Sequence, residues 1–167
     1  MASVQLSNIE RKMRYFIQHY NPRKYWKYRN DVIRYTGGTS IAKIVCEMKL
    51  LYIKRCDAFN NASLGTHIGF GAEFRGIPIF PHGLYGIIIS HNAIIGENVT
   101  IYHQVTIGEG KGGSPVIGDR VLIGAGAKII GRVHIGSGTR IGSGCVINKD
   151  VPENATVFAP EPTIVLR

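Results

Sequence analysis

Ten isoleucines in strict six-residue phase constrain this chain more than any other feature. Counting in sixes from Ile89 gives Ile95, Ile101 and Ile107; restarting at Ile117 gives Ile123, Ile129, Ile135, Ile141 and Ile147. Every one of the ten phase positions is Ile, and the next residue is Gly at six of them. Four residues after each Ile stands a small or β-branched residue: Ala93, Val99, Val105, Val121, Ala127, Val133, Thr139, Cys145 and Val151, with the Ile107 hexad the exception. Neither a 3.6-residue helix nor a simple two-residue alternation produces a strict six. A six-residue rung can send one Ile and one small residue inward and turn a corner at the Gly, where an unusual φ is cheap. Three rungs then close a triangular coil, and stacked coils form a β-helix around a continuous Ile column. Each buried Ile contributes roughly 1.5–3 kcal/mol before conformational entropy is counted. The bland alternative is a Gly-rich β-sandwich with chance spacing, and ten matches in ten positions leave it little room.

The phase slips twice. Ile107 to Ile117 is ten residues, four beyond a hexad, so the stretch from Glu109 to Pro115 is predicted to loop out. A second slip lies between Ile68 and Ile89, around residues 80–86. Loops that interrupt a rigid scaffold are where function concentrates.

Charge divides the chain at the same place as glycine does. Of the +9 formal charge over 167 residues, residues 1–56 hold twelve Lys/Arg against three Asp/Glu, while residues 57–167 hold eight of each. Of 21 glycines only Gly37 and Gly38 precede Cys56. The first regime reads as helical. Ile9, Met13, Phe16, Ile17 and Tyr20 form one amphipathic stripe, ended by Asn21-Pro22. Ile41, Ile44, Val45, Met48, Leu51 and Tyr52 form another, starting at Thr39 or Ser40. Between them the basic, aromatic run from Pro22 to Arg29 has two readings. It is a contact for an anionic lipid-linked saccharide or membrane surface, or a solvated basic loop that packs Tyr25 and Trp26 on the β-helix, and the second is favoured.

The expected organisation is mainly β: a basic helical region over 1–58, a left-handed parallel β-helix over 59–158 with loops near 80–86 and 109–115, and a tail over 159–167. Three Cys with no CxxC pair argue against a disulfide scaffold and a zinc ribbon. No apolar run suits a signal peptide or a bilayer span, so a reduced, cytoplasmic protein is expected. No recognised module accompanies the charge, so nucleic acid is not an expected partner and membrane contact is at most peripheral.

Several segments are specific. Phe80-Pro81-His82-Gly83 leads to Gly86-Ile87-Ile88-Ile89; Gln104-Val105-Thr106-Ile107-Gly108 precedes the loop; Gly124-Ala125-Gly126-Ala127-Lys128-Ile129-Ile130-Gly131 follows it. In these residues the chain resembles the left-handed β-helix acyltransferases, in the serine acetyltransferase branch that also holds polysaccharide O-acetyltransferases. The resemblance covers roughly residues 60–155. It implies a homotrimer with acetyl-CoA lying in the groove between subunits, no metal, and His82 as the base that deprotonates the acceptor hydroxyl. It carries the pantetheine arm past Ala125 and Ser143 and sets Lys149 near the CoA phosphates. Imidazole suits the base role near neutral pH. The oxyanion needs fixed donors, and Gly108 with the start of the loop is the candidate. His103 and Tyr85 are the candidate acceptor contacts.

Three departures bear on the acceptor. Pro81 stands where the serine enzymes carry a carboxylate, His67 aligns with the aspartate that orients their base, and Ser114 aligns with a loop histidine that helps hold serine. A sugar or polysaccharide-precursor hydroxyl, possibly on a lipid-linked carrier, is therefore the expected acceptor, with serine the alternative. A non-catalytic or metal-binding β-helix is the second alternative; the His-x4-His pair of zinc β-helices is missing. Cys145 occupies an inward slot and reads as core.

Overall fold

In a computed structural model, which describes residues 7–161 and 163–165, the hexads form a left-handed parallel β-helix with three sides. Side one stacks Ser63–Leu64, Ile88–Ile89, Thr106–Gly108, Lys128–Ile130 and Val146–Ile147. Side two stacks Glu73–Phe74, Ile94–Ile95, Val116–Ile117 and His134–Ile135. Side three stacks Thr100–Ile101, Leu122–Ile123, Arg140–Ile141 and Thr156–Val157, with Ile79 bridging to Thr100.

The register sets isoleucine on isoleucine. Ile89, Ile107, Ile129 and Ile147 pair in turn on side one; Ile95, Ile117 and Ile135 on side two; Ile101, Ile123 and Ile141 on side three. All ten phase isoleucines are buried, and so are the nine small residues four positions later, Cys145 among them. Strands of two or three residues suffice because each pairs with the next coil, and the inner ones lie between neighbours above and below.

The glycine after each Ile has a different reason from the one the sequence suggested. Its φ is ordinary; what it lacks is room. A Cβ on Gly124 would lie 2.6 Å from the Ser143 amide nitrogen, and one on Gly118 would lie 2.7 Å from that of Ser137. The next coil passes too close for any side chain. The left-handed backbone falls three residues after the Ile, at Asn98, Gln104, Arg120, Gly126, Gly138 and Gly144.

Among the described residues three helices cap the coil: α1 (Asn8–Ile17), α2 (Pro22–Ile33) and α3 (Ser40–Phe59). The basic run from Pro22 to Arg29 is the start of α2 rather than a loop. Asn21 caps it, its side chain accepting from the Lys24 amide at 3.2 Å, and Pro22 takes the first turn, where no N–H is needed. Tyr25, Trp26, Arg29 and Val32 share its buried face. Trp26 does pack on the coil, edge-on to Phe74 with centroids 4.9 Å apart.

Arg29 is not solvated: only 1% of it is exposed. It donates to Thr66 Oγ1 at 3.1 Å and to the Leu64 and Ala72 carbonyls at 3.3 and 2.6 Å, and lies over the Phe74 ring. Burial lowers its pKa to about 10, which leaves it charged at neutral pH. Asp57 of α3 accepts from the Tyr25 hydroxyl at 2.6 Å. Burial, against that hydrogen bond, lifts its carboxyl to about 6.

Both apolar stripes face outward, against expectation. Ile9, Met13, Phe16 and Ile17 on α1 are exposed, as are Ile41, Ile44, Val45, Met48 and Leu51 on α3. The face α3 buries is Cys46, Ile53, Cys56 and Asp57, read about a third of a turn away. Thr39 caps α3 as the sequence suggested, accepting from the Ala42 amide at 3.2 Å. No described helix is long and apolar enough to cross a membrane.

Candidate active site

One corner of the coil, where side three turns into side one, collects five of the singled-out residues. His82 and Tyr85 lie in the turn at the top; His103 lies one coil below; Ala125 and Ser143 follow on the next two. Backbone bonds join the levels: Gln104 N donates to the Tyr85 carbonyl at 2.9 Å, Gly126 N to His103 at 3.0 Å, and Gly144 N to Ala125 at 2.9 Å. The corner is thus a rigid ladder rather than a set of free loops.

The upper turn is fixed at both ends. Gly83 N donates to the Phe80 carbonyl at 3.1 Å, and Gly86 N donates to Asn60 at 2.9 Å. Leu84 is buried completely beneath it. Gly83 and Gly86 have φ of 75° and 66°, which lets the chain double back. His82 is left exposed at the tip, its ring edge-on to Tyr102 with centroids 5.5 Å apart. Its Nδ1 lies 2.8 Å from Nδ1 of His103. Tyr85 is 55% exposed beside them.

Below the histidines a hollow of about 220 Å³ is lined by Tyr102, Leu122, Gly124, Ala125, Ile141 and Ser143. Its lining includes both residues matched to the pantetheine arm. The remaining candidates lie across side one, where it turns into side two. Gly108 ends a strand there, and its carbonyl accepts from Gly131 N at 3.0 Å. It lies five residues along the chain from His103, at the other end of the strand Thr106–Gly108. Lys149 stands at the same corner, two coils lower, beside a second hollow with Asp150 and Pro152.

The loop after Gly108 also belongs to that second corner. Gly110 and Gly113 exchange backbone hydrogen bonds of 3.0 and 3.2 Å, and Glu109 accepts from Asn92 Nδ2 at 3.2 Å. Ser114 shares a 2.8 Å hydrogen bond with Ser90. His67, aligned with an orienting aspartate, stacks on Phe70 and meets His91 edge-on. It is not with His82 in this chain. Among the described residues no group of three or more His, Cys, Asp or Glu is placed to hold a metal ion.

Sequence reasoning found both histidines and missed that they pair. Their spacing of 21 residues is not the 18 that separates Ile89 from Ile107, because the upstream slip adds to it. The signal was present in Gln104-Val105-Thr106-Ile107, which fixes His103 to the corner, and in the turn that must bring Gly86 to Ile87 above it.

Comparison with known proteins agrees with the repeat. Residues 114–149 match the bacterial transferase hexapeptide (six repeats) family. The serine acetyltransferase of Mycobacterium tuberculosis is 43% identical over 103 residues, 59% of this chain and 44% of that protein. Soybean serine acetyltransferase complexed with serine superposes with a TM-score of 0.58 at 32% identity, covering 77% of this chain and 50% of that one. A serine acetyltransferase in complex with CoA gives a TM-score of 0.60 at 26% identity, covering 80% of this chain and 51% of that one. The chain spans about half the length of the curated relatives it matches, from 43% to 62% in the first three. Its coil and its repeat are those of the bacterial transferase hexapeptide family model over residues 114–149, and the chain is similar, over about half their length, to serine acetyltransferases.

Proposed function

We propose that this protein transfers an acetyl group from acetyl-CoA to a hydroxyl, with His82 as the general base. The observation that carries the proposal is the corner itself: an exposed imidazole held above an open hollow in a hexapeptide-repeat coil. The fit to acetyl-CoA rests on that corner. Gly124 has no side chain and Ala125 has a small one, so a slender chain has room to lie along the ladder. At about 220 Å³ the hollow is smaller than the roughly 300–1,000 Å³ of a closed small-molecule site. It takes part of a long ligand, and a neighbouring subunit completes the wall in the homotrimer we propose.

Bound acetyl-CoA supplies the acetyl group as a thioester. His82 takes the acceptor's hydroxyl proton as the new C–O bond forms and returns it to the departing sulfur. Gly108 and Lys149, on the far corner, serve the site of the adjacent subunit in that assembly.

The comparisons favour serine as acceptor over the sugar hydroxyl expected from the sequence, since the relatives described are serine acetyltransferases. One observation keeps the sugar as a second reading. Ser114, where a serine-holding histidine was aligned, is bound to Ser90, and Pro81 supplies no carboxylate. Thiol release from acetyl-CoA decides the matter. Turnover with L-serine establishes the first reading; silence with serine and turnover with a nucleotide sugar or glycan establishes the second. A His82→Ala variant at full rate removes the base from both. Light scattering checks the trimer.

A further inference from the structure

We propose that His103 is the positioning residue for His82: it accepts the His82 Nδ1 proton and so presents Nε2 as the base. The proposal rests on the acetyl-transfer reading above. It replaces the role of acceptor contact that the sequence suggested for His103.

Two Nδ1 atoms 2.8 Å apart hold one proton between them. Two N–H groups collide at that distance, and two lone pairs repel. The rings are therefore locked in complementary tautomers. In one arrangement His82 donates from Nδ1, and its Nε2 lone pair is free to take a proton. In the other it receives at Nδ1, carries its proton on Nε2, and is no base. Only the first arrangement serves the reaction. The hydrogen bond at one ring nitrogen sets what the other can do.

The surroundings make His103 the group that holds the ring. No carboxylate hydrogen-bonds to His82 among the described residues. His67 is engaged with Phe70 and His91 at another corner. His103 is fixed on both sides, by its own carbonyl to Gly126 and by the Gln104 amide to Tyr85. Gln104 adopts φ of 58°, a left-handed conformation that aims the preceding residue across the corner. The ring centroids of the pair lie 4.8 Å apart and 34° from parallel, while the Tyr102 edge limits rotation of His82. A site on a rigid element is positioned more closely than one on a loop.

The proton balance is simple. The acceptor's hydroxyl proton goes to His82 Nε2 and leaves on the sulfur. The Nδ1 proton stays between the rings throughout, so His103 shares the positive charge His82 carries in between.

Steady-state kinetics and ring-nitrogen NMR on the full-length protein test this. His103→Ala should lower kcat about 10- to 100-fold with the acetyl-CoA KM held within about twofold. His103→Asn should recover most of the loss, because its Oδ1 takes the place of Nδ1 and accepts the same proton. In 15N spectra of the free protein, His82 should carry its proton on Nδ1 in the wild type and in His103→Asn, and on Nε2 in His103→Ala. Wild-type His82 protonated on Nε2 overturns the proposal. So does a His103→Ala enzyme with unchanged kcat when His82→Ala is inactive. A fully active His82→Ala enzyme instead removes the acetyl-transfer role of His82, while the spectra still decide the pairing.

Discussion

Isoleucine stacks on isoleucine through the coil, whereas the cap is fastened to it by a buried arginine, beside a tyrosine–aspartate pair that joins two of the cap's own helices. In the coil each level repeats the one before, so backbone ladders join level to level and the side chains that turn inward are nearly all apolar. The first level has no coil above it. The Leu64 and Ala72 carbonyls there find their donor in the Arg29 side chain, delivered by α2. Repetition makes apolar packing sufficient; where repetition stops, a buried cation completes the ladder. The difference is one of error tolerance, since a polar junction fails when a single partner is removed.

Removing the cation should have the largest effect. Arg29→Ala removes the donor to the Leu64 and Ala72 carbonyls and the packing on Phe74, and denaturant unfolding should show a loss of about 3–5 kcal/mol. If the loss is below 1 kcal/mol, the contrast drawn between cap and coil collapses. Next comes Ile129→Ala in the middle of the coil, completely buried between Ile107 and Ile147. It should lose about 2–5 kcal/mol by cavity formation. Gly124→Ala forces a methyl against the Ser143 amide and should lose about 1–3 kcal/mol.

The pH dependence of the junction is smaller and has a definite sign. With the Asp57 carboxyl lifted from 3.8 to about 6, the folded state binds its proton more tightly than the unfolded chain does. Its contribution therefore favours folding below about 4 and is lost as pH rises through about 6. Comparing wild type with Asp57→Asn by thermal melts should show the wild type gaining on the variant by about 1–3 kcal/mol from pH 7 to pH 4. The smallest effect belongs to the outward stripes. Ile44→Ala on α3 should change monomer stability by about 0.5 kcal/mol or less, since the side chain is 55% exposed.

The coil was legible because a six-residue period maps directly onto burial, with Ile inward at all ten phase positions. The purpose of its glycines was not: close approach between coils is a relation between residues such as Gly124 and Ser143, a full turn apart and invisible in one hexad. In the cap the periodicity misled. The outward stripes carry the helical spacing that normally marks a core. The true buried face of α2 runs Tyr25, Trp26, Arg29 and Val32, and a buried arginine disguises it as a basic surface. At the site, His82 was legible from its segment, and its partner was hidden by the extra residues of the upstream slip.

The Ile129–Ile147 register means that one full turn takes eighteen positions. A chain wound in this way lengthens by whole turns, as other repeat folds do. Adding or deleting a turn below Ser143 extends or trims the floor of the hollow while the two histidines, two and three levels up, keep their places. For the proposed acetyl transfer, reach for the acyl carrier and placement of the base are thereby separate dimensions of one winding, each free to vary without disturbing the other.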